Sequence, residues 1–303
     1  MMDPIYGRIA SNKRKTFFLF FLYALLFGAI GYFIGIYIGD PVIGIILAGL
    51  IFIILFLISY FRGQSVITKM AGAREVSKKD QPYLYNTVEA LSIAAGKPMP
   101  KVYLIDTDVP NAFAAGRNPD NAIIAVTRGL MDRLDRQEIE GVIAHEMAHI
   151  NNYDVLLATV AIVLAGTIVF ASIIARRMIF FGGMGRRSSR KGGQSQIIML
   201  VILLVVAILA PIFAQLLKFA ISRQREYLAD ATAANFTGYP EGLASALEKI
   251  TNYQVKDSPL DNKALEGLYI VNPALGARSA NRQSVLFSTH PPSEERVRRL
   301  RAM

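Results

Sequence analysis

Four stretches without a single charged residue constrain this chain more than any other feature of its sequence. They cover residues 17–38, 42–60, 155–175 and 197–217. Each is close to the roughly 20 residues that a helix needs to cross a hydrocarbon core. Within that core every backbone N–H and C=O must be satisfied inside its own segment, so each stretch is read as a helix. For the last two, a helix buried against protein is the alternative. Composition agrees with this: 53% of the 303 residues are hydrophobic and the mean hydropathy is +0.36, outside the range of ordinary soluble domains.

The formal net charge is +10, which on its own suggests nucleic acid. Its distribution points elsewhere. Arg8, Lys13, Arg14 and Lys15 precede the first apolar stretch, and Arg176, Arg177, Arg186, Arg187, Arg190 and Lys191 lie between the third and fourth. Basic residues flanking spans serve topology and anionic lipid, and no nucleic-acid motif accompanies them. The absence of cysteine excludes disulfides and thiolate metal sites. The first stretch is too long for a cleaved signal peptide and lacks a small-residue cleavage site. It is expected to form an uncleaved hairpin with the second, turning at Gly39, Asp40 and Pro41.

Residues 1–60 are thus expected to form a two-helix membrane hairpin, and 155–217 a second hydrophobic hairpin with a flexible basic loop. The polar pieces 61–154 and 218–303 together make one domain. Apolar spacing predicts helices over 81–95, 242–250 and 293–300, and one from the fourth stretch through at least 235. Short strands are expected at 101–105 and 122–126, the latter paired in a hairpin with a segment starting at Asn111.

Chemistry enters at His145-Glu146-Met147-Ala148-His149. Asp135 and Glu138 form a capping-box pattern, and Ile139, Val142, Ile143 and Ile150 give the following helix an apolar stripe. His145 and His149 are four residues apart, so their imidazoles lie one turn apart on one face and can reach one cation. Glu146 is turned about 100° from His145, near enough to hold a water at that cation without ligating it. Two imidazoles and an oxygen suit Zn2+, which in catalytic sites keeps one position open. Two of the three histidines of the chain stand in this motif. Glu226, in Ser222-Arg223-Gln224-Arg225-Glu226-Tyr227-Leu228-Ala229-Asp230, is the best candidate for a third ligand; a surface glutamate in a charged run is the alternative. Asp230, four residues on, shares its face and is placed to accept a hydrogen bond from a ligand imidazole. His149 stands six residues before the third apolar stretch and Glu226 nine after the fourth. Out-and-back spans would bring the two together within about 15 Å of the bilayer edge.

The run H-E-M-A-H, followed after a hydrophobic hairpin by S-R-Q-R-E-Y-L-A-D, resembles the HtpX family of membrane metalloproteases, a gluzincin branch related to the CAAX prenyl proteases. The resemblance extends over nearly the whole chain, including N-A-F-A-A-G before the metal helix and a late T-H-P-P. It implies a mostly α membrane protein carrying a gluzincin-type α+β metalloprotease domain with a small sheet. It also implies one Zn2+ held by His145, His149 and Glu226, polypeptide substrates, and a multi-pass prokaryotic plasma-membrane protein that degrades misfolded or damaged membrane proteins on its cytoplasmic side, in stress response and quality control. His290, in Thr289-His290-Pro291-Pro292, reads on the residues alone as a surface histidine in a proline turn. With Arg296 six residues on, it matches a pair near the transition state in the prenyl proteases, which implies oxyanion or product-carboxylate binding.

The residues then suggest hydrolysis of an amide with Glu146 as general base. Asn111, Ala112, Phe113 and Ala114 are expected to form an edge strand that pairs with an extended substrate; a plain structural hairpin is the alternative. The rival readings are a prenyl-CAAX processing protease and, from another class, a membrane metal-binding protein without catalysis, which the presence of Glu146 disfavours. One feature conflicts with the expected topology. The loop 176–196 carries six basic residues and no acidic one, yet would face away from the cytoplasm. Partial burial of the second hairpin against the protease domain is one resolution; override by upstream topology signals is the other.

Overall fold

The computed structural model describes residues 4–164, 223–253, 270 and 291–303. Helix α1 covers Pro4–Ile38, so the basic residues before the first apolar stretch are the opening turns of the same helix. The chain reverses where expected. Gly39 takes φ +100, and Asp40 caps helix α2, Pro41–Phe61, by accepting from the backbone of Val42 and Ile43. Proline at the first helical position has no N–H to lose. The two helices pack so closely that a Cβ on Gly31 would lie 2.5 Å from the Gly44 carbonyl oxygen. Both are long and apolar enough to cross a membrane, over Ala10–Tyr32 and Pro41–Phe61. Phe17, Phe21, Leu25, Ile46, Leu50 and Ile54 are exposed on their outer faces, as lipid contact requires.

Helix α3, Gly63–Met70, leads into the domain. Its sheet has the order β1-β2-β4-β3, with β1 Arg74–Glu75, β2 Lys101–Ile105, β3 Ala112–Gly116 and β4 Ala122–Thr127. The expected hairpin is present: β3 and β4 are antiparallel, with Ala114 opposite Ile124. β2 runs parallel to β4, a pairing that no local pattern announces. Helix α4, Pro82–Ala95, ends on Gly96 in the left-handed conformation. Helix α5, Arg128–Arg133, follows β4.

Both faces of the sheet are covered, and side-chain alternation along the strands decides what covers each. Ala112, Ala114, Ile124 and Val126 face a core built with α4, with α6 Arg136–Asn151, and with α8 Arg223–Thr237, α9 Pro240–Thr251 and α10 Ser293–Leu300. Phe113, Ala115, Ile123 and Ala125 face Ile67 of α3 and Ile162 and Val163 of α7, whose described part is Asp154–Leu164.

Helices α6 and α7 meet at 87°. Val155 through Val163 are nearly all buried, against the sheet on one side and against Leu19, Phe20 and Tyr23 of α1 on the other. The opening of the third apolar stretch is therefore packed in protein rather than exposed to lipid. This agrees with burial of that segment against the protease domain. The remainder of that stretch, the basic loop and the fourth stretch lie outside the described residues, so two apolar helices of the expected four are described at full length.

Candidate metal centre

Helix α6 starts as its sequence dictates. The Asp135 carboxylate accepts from the Glu138 backbone at 3.0 Å, and the Glu138 carboxylate accepts from the Asp135 N–H at 2.8 Å. Glu138 also accepts from Ser245 at 2.5 Å and from Lys249 at 2.7 Å, which ties the start of α6 to α9. Further along, Gly141 leaves no room for a Cβ, which would stand 2.6 Å from the Leu243 nitrogen. These contacts fix the helix that presents His145, Glu146 and His149, and α8 crosses it with Glu226 and Asp230.

The Nε2 atoms of His145 and His149 lie 3.2 Å apart. Glu226 offers one carboxylate oxygen to each, Oε2 at 3.6 Å from His145 and Oε1 at 3.5 Å from His149. Donors about 2.0–2.1 Å from a tetrahedral cation stand about 3.3 Å from one another, so the spacing of these three side chains fits such an ion. Among the described residues this is the one group of three or more His, Asp or Glu side chains with that arrangement.

Behind each imidazole stands a carboxylate. His145 Nδ1 lies 3.0 Å from Asp230, as the spacing on α8 suggested. His149 Nδ1 lies 3.1 Å from Asp154, a residue that the sequence reading did not single out. Its signal was present: an acid five residues past the second histidine, at the mouth of an apolar stretch, where a carboxylate without a partner is costly.

Arg296 comes from α10 and is 1% exposed. Its Nε and Nη2 grip Asp230 at 2.9 and 2.7 Å, and Nη1 lies 3.5 Å from Glu226 and donates to the Ile270 carbonyl at 3.4 Å. The guanidinium is thus packed among the site's own carboxylates. His290 lies outside the described residues.

Among the described residues, strand β3 is the edge of the sheet nearest the histidines. The backbone of Ala114 on this strand faces the Glu146 carboxylate and favours its charged form. Ala112 receives the Ile270 N–H on its carbonyl at 3.4 Å, and the Asn111 side chain accepts from the same N–H at 3.1 Å. Phe113 points to the opposite face of the sheet.

Electrostatics follow from this packing. For His145, burial and Arg296 oppose protonation, but hydrogen bonds to Asp230 and Glu226 outweigh them and raise its pKa to about 9. For Asp230, burial works upward, yet Arg296 and His145 hold it at about 2. Glu146 is pushed up, by burial first and by Glu226, against the pull of both imidazoles.

Comparison with known proteins follows the same residues. The model of peptidase family M48 matches residues 78–303. The chain belongs to peptidase family M48. An HtpX protease homolog of Dictyoglomus turgidum is 48% identical over 300 residues, covering 98% of this chain and 94% of that protein. Those of Streptococcus gordonii and Listeria monocytogenes are 42% and 44% identical, each covering 99% of this chain and 100% of the relative. Among solved structures, the chain is similar to the crystal structure of S. mikatae Ste24p, with TM-score 0.48 and 16% identity, over 97% of this chain and 66% of that one. As an HtpX-type M48 peptidase the chain is a metalloprotease, a hydrolase and a membrane protein. The family implies a metal ion, and among the described residues His145, His149 and Glu226 form a candidate group for holding one.

Proposed function

We propose that this M48 peptidase is a zinc endopeptidase that hydrolyses peptide bonds of misfolded or damaged membrane proteins at the cytoplasmic face of a prokaryotic plasma membrane. The convergence of His145 Nε2, His149 Nε2 and the Glu226 carboxylate, with Glu146 buried beside them, is the observation that carries this reading. Two nitrogens and one carboxylate match the donor set of a catalytic zinc, which keeps a fourth position for water or substrate. When bound, zinc supplies Lewis acidity to the scissile carbonyl and acidifies the attacking water toward a pKa of about 7.

The chain's own residues do the rest. Glu146 takes the proton of that water on its carboxylate and delivers it to the departing amine nitrogen. Burial raises its pKa above that of an ordinary carboxylate, which favours holding the proton between the two transfers. The backbone of Ala114 on β3 faces that carboxylate and favours its charged form. Asp230, held by Arg296, fixes the tautomer of His145 so that Nε2 carries its lone pair toward the metal.

The edge position of β3 supports a role for residues 111–114 in holding an extended substrate by backbone hydrogen bonds. Pairing of that kind reads little of the side chains, which suits a protease that must accept many damaged sequences. A substrate strand would take over the Ala112 carbonyl that now receives Ile270.

The test is Glu146→Gln in the full-length, detergent-solubilised protein, assayed on an unfolded membrane protein and on a prenylated peptide. Zinc stoichiometry near one per chain with cleavage abolished is the expected result. Residual proteolysis at the wild-type rate would sink the mechanism. Preference for the prenylated peptide would replace the quality-control reading with a processing one.

A further inference from the structure

The corner that follows His149 is gripped from α1. Tyr153 sits there at φ +59, a left-handed conformation that a bulky residue adopts only when its surroundings hold it. Three successive corner residues each meet one of two successive residues of α1. Asn12 Nδ2 donates to the Asn152 carbonyl at 3.4 Å and to Asp154 Oδ1 at 2.8 Å. Lys13 places its ammonium 5.0 Å from the centre of the Tyr153 ring. The other oxygen of Asp154 faces His149 Nδ1 at 3.1 Å.

Asn12 is 3% exposed, an amide buried where the membrane hairpin meets the domain. An amide is the group this position demands, because it both donates and accepts. It gives its N–H to Asp154 and takes Arg225 Nη1 on its Oδ1 at 3.4 Å, while Arg225 also lies 3.6 Å from Asp154. Arg225 is the residue next to Glu226 in sequence. The amide therefore links the carboxylate behind His149 to the helix that carries Glu226.

From this geometry we infer that Asn12 is a positioning residue of the metal centre: it aims Asp154 at His149, and so makes the first membrane helix a structural part of the metal site. Asp154 does for His149 what Asp230 does for His145, with Asn12 and Arg225 in the place that Arg296 takes on the other side. The inference rests on His145, His149 and Glu226 being the zinc ligands. It assigns a function to the cytoplasmic turns of α1 beyond anchoring: a shift of that helix against α7 moves the partner of a metal ligand. Membrane insertion and metal affinity are then coupled through one side chain.

The experiment measures zinc affinity by chelator competition on the full-length protein in detergent, and the visible absorption of the cobalt-substituted form, which reports ligand geometry independently of activity. Asp154→Asn and Asn12→Ala are each expected to lose tenfold or more in affinity, about the range for removing a hydrogen-bond partner of a metal-bound histidine, with altered cobalt bands. Because Asn12 acts through Asp154, the double variant should lose no more than Asp154→Asn alone. Tyr23→Phe removes another α1–α7 hydrogen bond, from Tyr23 to the Leu164 carbonyl, and should leave affinity and bands unchanged. Wild-type affinity in Asn12→Ala, fully multiplying losses in the double variant, or an equal loss in Tyr23→Phe each overturns the inference. Should Asn12→Ala fail to fold, Lys13→Ala at an exposed position carries the test. Loss of its contact with Tyr153 should weaken zinc about threefold, and unchanged affinity overturns the inference. Absence of zinc binding by the wild type would instead overturn the site reading itself.

Discussion

His145 is held between opposing demands. Buried carboxylates raise its pKa to about 9 in the metal-free site, whereas a metal ligand must be deprotonated. A raised pKa means that the folded, metal-free state keeps a stabilising proton, fully present below the ordinary value of 6.5 and lost as pH rises through about 9. Zinc must displace that proton, so its apparent affinity should climb about tenfold per pH unit up to about pH 9 and then level off. Isothermal titration in buffers of different ionisation enthalpy checks this, with about one proton released per zinc at pH 7; no release would contradict it. Arg296 supplies a second residue-scale prediction. Its guanidinium grips a buried carboxylate, so Arg296→Ala should destabilise the fold by about 3–5 kcal/mol, the range for stranding a buried charge. Were Arg296 to bind substrate carboxylates, the same variant would raise KM and leave the midpoint of denaturation in place. Helical spacing in the sequence offered the histidine pair on one face of one helix with Glu146 beside it, and Glu226 and Asp230 on one face of another; that Glu226 would meet the histidines was implied by the family resemblance. The sequence did not disclose Asp154 as a partner of His149, because the 87° corner that turns it back is made by a Tyr153 conformation that no propensity predicts.

At the scale of elements, the site depends on how α6 lies against α9. Gly141 and Gly242 set their closest approach: a Cβ on Gly141 would stand 2.6 Å from the Leu243 nitrogen, and one on Gly242 2.5 Å from the Gln137 carbonyl oxygen. Gly141→Ala meets backbone, which cannot swing aside, and should cost about 1–3 kcal/mol as an overpacked contact. Since Gly141 stands one turn before His145, zinc affinity should fall with it. Asp135→Ala offers the contrast. It removes a cap far from the ligands and should cost about 1 kcal/mol with zinc affinity preserved. Denaturant unfolding alongside chelator competition separates the two; equal affinities in both variants would show that helix contact does not set the site. Elements carrying their own signals were legible: α4, α6, α9, α10, the Asp40-Pro41 turn and the β3–β4 hairpin. α3, α5 and the two-residue β1 were not, being too short for periodicity to declare. The parallel pairing of β2 with β4 depends on burial of both faces of the sheet, by α6 on one side and α7 on the other.

At the scale of the whole molecule, the hairpin and the protease domain share their packing. Leu19, Phe20 and Tyr23 of α1 pack on Leu156, Leu157, Val160 and Leu164 of α7, and the reverse face of α7 closes the sheet with Ile162 and Val163. Arg117 of the β3–β4 turn lies over the rings of Tyr60 and Phe61 at the end of α2, 5.7 and 5.0 Å from their centres. A mere tether would leave the two parts free to unfold separately; contacts of this kind are expected to make them unfold as one cooperative unit. Metal binding supplies a handle on that unit. A ligand present at a thousand times its dissociation constant stabilises the native state by about 4 kcal/mol, so chelation should lower Tm by about 6 °C in a chain of this size. If the hairpin and the metal centre are coupled, hydrogen exchange should then quicken in α1 near residues 12–23 together with α6 and α8, although His145, His149 and Glu226 all lie outside α1. If chelation loosened α6 and α8 while α1 kept its protection, the hairpin would be an anchor alone, and the grip of Asn12 on the corner would belong to packing rather than to the metal centre.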